Sequence, residues 1–281
     1  MNAVADFAVI GGSGLYHLLD DAQSIAVDTP YGPPSEAVTL GTVAGRRVAF
    51  LPRHGARHTI PPHRINYRAN IWGLRSMGVE RVLAPCAVGS LRVDRAPGEV
   101  VVCDQLVDRT HSRADTFYEG PEVAHLSGAD LYCEELGPLA AAASRSAGLV
   151  VHERGTVVVV QGPRFSTRAE SRIYAGLGCD LVNMTQYPEV ALARELGMCY
   201  VAIALVTDYD SGLEGRTDVA AVTQKDVLAV FNQNIAKLRV ALLGLLERMP
   251  ARRGCRCAAG VPVVMTAGEA MVPVSSRQEE Q

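Results

Sequence analysis

Apolar positions along the chain fall into two kinds of segment. Short runs rich in Val, Ile and aromatic residues at 7–10, 37–43, 47–51, 81–84, 99–103, 156–160, 181–184 and 198–206 predict strands. Longer stretches with helical periodicity at 65–77, 131–146, 168–176, 189–196 and 223–248 predict helices. The last is the clearest: Val227, Leu228, Phe231, Ile235, Leu238, Leu242 and Leu245 follow helical spacing, and Thr223 with Asp226 resembles a capping box. It reads chiefly as a packing element. Pro188 and Gly197 bracket the 189–196 helix. Strands interleaved with helices predict a single α/β domain over residues 1–250, a central mixed β-sheet flanked by helices. Residues 251–281 are rich in Gly, Pro, Ala, Ser and Arg and read as a C-terminal tail, partly mobile over its final ten or so residues.

Composition narrows the function classes. The 281 residues are 48% apolar and carry a formal net charge of -3, which gives no general attraction to nucleic acid or an anionic membrane. No apolar run approaches the roughly 20 residues that span a bilayer, and the N-terminus lacks the basic start of a signal peptide. A cytoplasmic chain without nucleic-acid or membrane partners is expected, and any anionic ligand needs a local site. Of seven cysteines, Cys103, Cys179 and Cys199 lie in or beside strand-like runs, where a thiol behaves as a small hydrophobe. Cys255 and Cys257, in Arg-Gly-Cys-Arg-Cys, offer two of the four ligands of a closed zinc site, so no metal is predicted.

The residues able to carry chemistry fall just after the predicted strands. Residues 205–212 read Leu-Val-Thr-Asp-Tyr-Asp-Ser-Gly and place Asp208 and Asp210 at a strand exit. In extended backbone the two would share a face, and open α/β sheets bind ligands beyond the carboxyl ends of their strands. After the first strand comes Gly-Gly-Ser-Gly, whose backbone can approach an anion while Ser13 adds a hydroxyl. It is a poor dinucleotide fingerprint, because His17 stands at the third glycine and 16–21 is too short for a crossover helix.

In Pro-Arg-His-Gly-Ala-Arg-His, Arg53 offers paired N–H donors to a phosphate and His54 a further one. His54 and His58 are four apart, as in a helical metal pair. Gly55 and Pro61-Pro62 argue against a helix there, and no neighbouring carboxylate completes a site, so an anion is favoured. Pro85-Cys-Ala-Val-Gly-Ser forms another glycine-bearing turn, in which Cys86 has no visible base to activate it as a nucleophile. Thr185 stands near a helix start, a position suited to phosphate. Phe165 and Ser166 lie in a loop after the 156–160 strand, where, taken alone, core packing of Phe165 and helix capping by Ser166 or Thr167 explain them best.

Taken in order over about residues 7–245, the segments Gly-Gly-Ser-Gly, Arg-His-Gly-x-x-His-Thr-Ile-x-Pro, Asn-Tyr-x-Ala-Asn-Ile-Trp, Val-Gly-Ser-Leu, Asp-Arg-Thr, Gly-Pro-Arg-Phe-Ser-x-Arg-Ala-Glu, Asn-Met-Thr-x-x-Pro-Glu and Thr-Asp-Tyr-Asp resemble the methylthioadenosine phosphorylase branch of the trimeric purine nucleoside phosphorylase family. The resemblance implies a phosphorylase/hydrolase-like fold, a homotrimer or dimer of trimers, and phosphorolysis of 5'-methylthioadenosine with inorganic phosphate as co-substrate and no cofactor. It implies a phosphate site of Ser13, Arg53, His54, Cys86, Ala87 and Thr185, with Met184 against the ribose and Phe165 and Ser166 lining the base pocket. Asp208 and Asp210 would be the catalytic pair, addressing the purine N7 and 6-amino edge. His125, Gln224, Val227 and Leu228 would surround the 5' substituent, partly across a subunit boundary.

Three features depart from the pattern. Cys86 replaces a usual Thr, Gln224 stands where relatives commonly have an apolar residue, and the tail has no counterpart. Gln224 could hydrogen-bond a 5'-hydroxyl, which keeps open a broader purine nucleoside phosphorylase; a purine-binding protein without turnover is the alternative from another class.

Overall fold

The apolar runs fold as strands because most are buried on both faces, the condition under which a strand reads as a continuous hydrophobic stretch. In the computed structural model, which describes residues 4–11, 20–213, 221–260, 263–265 and 272–273, the first half comprises β1 (Phe7–Gly11), β2 (Asp20–Ile25), β3 (Val38–Val43), β4 (Arg46–Pro52), α1 (Tyr67–Ser76), β5 (Arg81–Ser90), β6 (Val100–Cys103), β7 (Gln105–Arg109) and β8 (Val123–Ala124). There follow α2 (Leu136–Ser146), β9 (Val151–His152), β10 (Thr156–Val160), α3 (Arg168–Gly176), β11 (Leu181–Asn183), α4 (Gln186–Glu195), β12 (Cys199–Asp208), α5 (Gln224–Arg248), β13 (Val263–Met265) and β14 (Val272–Pro273). The predicted α/β architecture with a central mixed sheet is the observed one.

One sheet runs in the order β2-β3-β4-β1-β5-β11-β10-β7, with β12 on the other edge of β5 and followed by β6 and β9. Its centre, β4-β1-β5-β12, is parallel. Strand β5 branches the sheet: its first residues pair with β1 up to Leu83, and its last, Gly89 and Ser90, pair antiparallel with β11. The sequence suggested that this strand stops at Ala84, because proline is a poor central-strand residue. It continues because Pro85 lies where β5 has left β1 and not yet met β11, so its missing N–H forfeits no ladder bond on that side.

Alternation along β12 divides the core in two. Tyr200, Ala202, Ala204 and Val206 face one apolar layer, while Cys199, Val201, Ile203 and Leu205 face the other. Ile71 and Leu74 of α1 with Val190 and Leu192 of α4 close the first; Leu136 and Ala140 of α2 with Leu238, Leu242 and Leu245 of α5 close the second. Helix α2 starts at Leu136 rather than at 131, consistent with Pro138 belonging in a first turn, where its missing N–H is harmless. Helix α5 has the expected Thr223–Asp226 capping box, yet its fully buried residues begin only at Leu238. The packing role predicted for the whole stripe therefore begins at Phe231 and Ile235, which pack partly buried on the second layer, and Leu228 before them is 51% exposed.

Residues 251–260 of the tail lie against the body. The Gly254 amide donates to the Glu135 carboxylate at 3.1 and 3.2 Å, and Arg253 donates to the Gly197 carbonyl at 2.8 Å and meets Glu80 at 3.0 Å. Further on, β13 pairs with β8 and β14 in a small second sheet.

Candidate active site

Strands β4, β1, β5 and β12 run in the same direction, so the loops after them gather at one end of the sheet. Asp208 ends β12 opposite Gly89, after a register shift that follows Val206. A Cβ on Gly89 would stand 2.8 Å from Asp208 Oδ1 and 3.1 Å from Asp210 Cβ, so the approach of the acid turn to β5 depends on the absent side chain. Asp210 has left the strand: its φ is +47°, in the left-handed region that Asp tolerates better than most residues, and its amide donates to Asp208 Oδ1 at 2.8 Å.

This corrects the expectation that both carboxylates share a face through extended backbone. Asp210 is 2% exposed, and its Oδ2 accepts from the Ser171 hydroxyl of α3, which accepts in turn from Ser211 Oγ at 2.6 Å. Asp208 is only partly buried and accepts at Oδ2 from Thr207 Oγ1 at 2.7 Å. Burial lifts its carboxyl to about 6; hydrogen bonds from Thr207 and the Asp210 amide oppose the rise, and the charges of Asp210 and Asp226 add to it.

Some 10 Å back along β5, three residues from Gly89 at about 3.3 Å each, Cys86 comes within electrostatic reach of Arg53. Arg53 is 3% exposed and committed to the protein. Its Nε and Nη2 donate to the two oxygens of Glu189 at 2.6 and 2.7 Å, and Nη2 also donates to the Ile10 carbonyl at 3.0 Å. Burial works against the Arg53 charge, but the Glu189 carboxylate outweighs it and sets the guanidinium pKa above its ordinary value. The paired donors expected for phosphate are thus taken, and Nη1 is the nitrogen without a hydrogen-bond partner among the described residues.

His54 also differs from expectation. Its Nδ1 lies 2.9 Å from the Ile60 carbonyl, which can only accept, and burial, with Arg53 and His58 nearby, lowers its pKa to about 4. Near neutral pH Nδ1 carries the proton, so Nε2 is an acceptor and not the donor predicted. The His54 and His58 rings lie 4.4 Å apart, and among the described residues no third His, Cys, Asp or Glu completes a metal site with them.

Asn183 fastens β5 at Ala87 to the start of α4. Its Nδ2 donates to the Ala87 carbonyl at 3.0 Å, and its Oδ1 accepts from the amides of Thr185 and Gln186 at 2.7 and 2.8 Å. Thr185, 5% exposed, is the N-terminal cap residue of α4. Gln186 donates to the Cys86 and Cys103 sulfurs at 3.5 Å, and burial pushes the Cys86 thiol up to about 11, which disqualifies it as a nucleophile. In the neighbouring loop, the Cβ that Gly162 lacks would fall 2.5 Å from Met184 Sδ, so this loop passes directly over Met184. Phe165 there is 37% exposed, and the buried Ser166 Oγ has no partner among the described residues.

The residues expected around a 5' substituent are less assembled. The Val222 amide donates to the Asp210 carbonyl at 2.8 Å, which brings the first turn of α5 to the acids, with Val227 half-buried and Gln224 and Leu228 exposed. His125 is exposed just beyond β8. Ser13 lies outside the described residues.

Sequence reasoning missed Glu189, Asn183 and Ser171, and read Gly89 only as the glycine of a turn. Glu189 carried a signal: a carboxylate in a segment that packs on the core requires a buried cation. Ser171 carried none, since its importance lies in what distant segments place beside it.

The strand ends of a parallel-centred sheet thus bring together a buried Arg–Glu pair, the Cys86–Gly89 stretch of β5 and a paired-acid turn. The profile of the phosphorylase superfamily matches residues 6–247, and the chain belongs to that family. It is 54% identical over 248 residues to an S-methyl-5'-thioadenosine phosphorylase of Mycolicibacterium smegmatis, covering 88% of this chain and 92% of the relative. It is 50% identical over 267 residues to a purine nucleoside phosphorylase of Streptomyces coelicolor, covering 92% and 94%. Its fold is similar to that of methylthioadenosine phosphorylase from Schistosoma mansoni in complex with adenine, with a TM-score of 0.83 and 36% identity, covering 89% of this chain and 93% of the other.

Proposed function

We propose that the chain phosphorolyses 5'-methylthioadenosine to adenine and 5-methylthioribose 1-phosphate. The carrying observation is Asp208, a carboxyl lifted to about 6 by burial and held against Gly89, one short strand segment from the Arg53–Cys86 corner. Relatives about half identical over nearly the whole chain bear the corresponding name.

Cleavage of the N-glycosidic bond leaves positive character on the ribose and negative character on the departing base. Inorganic phosphate held at Arg53 Nη1, the Cys86–Ala87 backbone, Thr185 and Ser13 stabilises the sugar cation and attacks its anomeric carbon. His54 Nε2 accepts a hydrogen bond from a protonated phosphate oxygen. Met184 bears on the ribose, and Phe165 and Ser166 line the base, for which the unpartnered Ser166 hydroxyl is available. Asp208 protonates or hydrogen-bonds purine N7, because a carboxyl with a pKa near 6 retains protonated population close to neutrality. Asp210, held by Ser171, accepts from the 6-amino group. A 6-oxo group would oppose acceptor to acceptor; an unmatched buried polar group costs roughly 1–3 kcal/mol, or about tenfold to a few hundredfold in preference.

Exposed Leu228 and Gln224 on α5, with His125, fit a 5' pocket completed by a neighbouring copy in a homotrimer or dimer of trimers. Seven free cysteines suit a reducing cytoplasm, and released adenine suits purine salvage. A broader purine nucleoside phosphorylase is the second reading, favoured by Gln224 at the first turn of α5 and by the Streptomyces coelicolor relative.

Methylthioadenosine, adenosine and inosine compared with and without phosphate test both readings. Phosphate-dependent adenine release fastest from methylthioadenosine is the expected result. Equal turnover of all three supports the second reading, and base release independent of phosphate defeats both.

A further inference from the structure

Among the described residues, one cluster of metal-binding side chains stands outside the candidate active site, and it is made of sulfur. Cys133, in the loop before α2, Cys199, the first residue of β12, and Cys255 and Cys257, after α5, place their four Sγ atoms all within 4.8 Å of one another. Folding supplies the two ligands that the Cys-Arg-Cys pair lacked, so the count that argued against a metal from the sequence does not hold. We propose that these four cysteines form a structural zinc site, a closed tetrathiolate that fastens the tail to the body.

The geometry suits that ion. Four sulfurs around one zinc at a Zn–S distance of about 2.3 Å lie roughly 3.8 Å from each other in a tetrahedron. The Cys199 and Cys255 sulfurs are 3.4 Å apart, and all four cysteines are free. Thiolates are soft ligands that favour zinc over the hard cations magnesium and calcium. The four thiols release their protons to solvent as the ion binds, leaving a site of net charge -2. Arg194 stands within electrostatic reach of Cys257, and its buried Nη1 has no hydrogen-bond partner among the described residues. A guanidinium in that position offsets the excess negative charge.

The surroundings hold the ligands in place. The Cys133 amide donates to the Tyr200 carbonyl at 2.9 Å, tying the first two segments together, and the Glu135 and Gly197 contacts of Gly254 and Arg253 fix the third. Cys133, Cys199 and Cys257 are at most 3% exposed, while half-buried Cys255 leaves one side open. Cys133, Cys257, Arg194 and Arg256 line a cavity of about 670 Å³ that gives the ion a route inward. With four protein ligands no coordination position is left for a substrate. Cys199 and Asp208 are opposite ends of β12, about 30 Å apart at 3.3 Å per residue. The site therefore acts on stability and not on the chemistry.

The test is metal analysis of the full-length chain, expressed in zinc-supplemented medium and purified with a thiol reductant. About one zinc per chain is expected. The double variant Cys255→Ser, Cys257→Ser should lose the zinc and fall in Tm on the order of 5–10 °C, with kcat/KM far below Tm within about threefold of the parent. Should that variant not fold, the parent itself decides: a strong chelator should release one zinc, seen with a metallochromic dye, as four thiols become reactive. Less than about a tenth of a zinc per chain, or peptide maps showing disulfides among these cysteines, would overturn the proposal; iron at one per chain would overturn the choice of ion.

Discussion

Thr207→Val tests whether Asp208 acts as an acid. The Thr207 hydroxyl has one proton and two acceptors, Asp208 Oδ2 at 2.7 Å and the Val88 carbonyl at 3.2 Å. When Asp208 is ionised the proton goes to the carboxylate; when Asp208 is protonated it can turn to Val88. The bond therefore favours the ionised form, and it is among the influences that hold the Asp208 pKa down against burial. A hydrogen bond to a charged group contributes about 1.5–3 kcal/mol, and one pKa unit corresponds to about 1.4 kcal/mol. Its removal should raise the Asp208 pKa from about 6 by roughly one to two units.

The assay is kcat/KM for methylthioadenosine against pH, which reports ionisations of the free enzyme. Activity that needs protonated Asp208 is present below its pKa and falls about tenfold per pH unit above it. In the variant this alkaline limb should move from near pH 6 to between about 7 and 8, making the variant faster than the parent at pH 8 by about tenfold or more. Phosphate ionisation is common to both enzymes and cancels in their ratio. A limb that stays in place or moves to lower pH, in a variant of unchanged Tm, would refute the assignment of the proton to Asp208.

Three further variants examine the site. Asp208→Asn with Asp210→Asn should move preference from 6-amino toward 6-oxo purines by about tenfold to a few hundredfold; retained adenine preference in the kcat/KM ratio of adenosine to inosine counts against the acid pair as the base reader. Gly89→Ala places a methyl 2.8 Å from Asp208 Oδ1 and 3.2 Å from the Asp210 Cα, and should lower kcat/KM about a hundredfold by displacing the acid turn, with a stability cost of about 1–3 kcal/mol in urea unfolding. Glu189→Gln leaves the buried Arg53 guanidinium without its counter-charge and should cost about 3–5 kcal/mol. Its KM for phosphate should rise, because the direction of Arg53 Nη1 depends on that pair; an unchanged KM removes Arg53 from the phosphate site.

The sequence by itself determined most of the elements, their order and the loops that gather at one end of the sheet. Hydrophobic periodicity is a local property, and it located the strands from β1 to β12 that are buried on both faces, such as β1, β5, β10 and β12, together with the five α-helices among the described residues. It overlooked β2, β7, β8 and β9, edge or near-edge strands whose half-exposed composition carries little signal. The strand-end motifs named the loops that meet at one end of the sheet, because a ligand site beyond parallel strands must be built from residues following each strand.

Tertiary structure alone decided the partners. Arg53 was read as a phosphate clamp, but Glu189, distant in sequence, occupies two of its nitrogens. His54 was read as a donor until the Ile60 carbonyl fixed its proton on Nδ1. Asp210 was placed beside Asp208 in extended backbone, and a left-handed residue sent it to Ser171. Cys255 and Cys257 were two ligands short until β12 and the loop before α2 brought Cys199 and Cys133 to them. Spacing along a chain specifies which face a side chain takes within its own element, whereas charge compensation, proton placement and ligand count are sums over neighbours that meet only when distant segments pack.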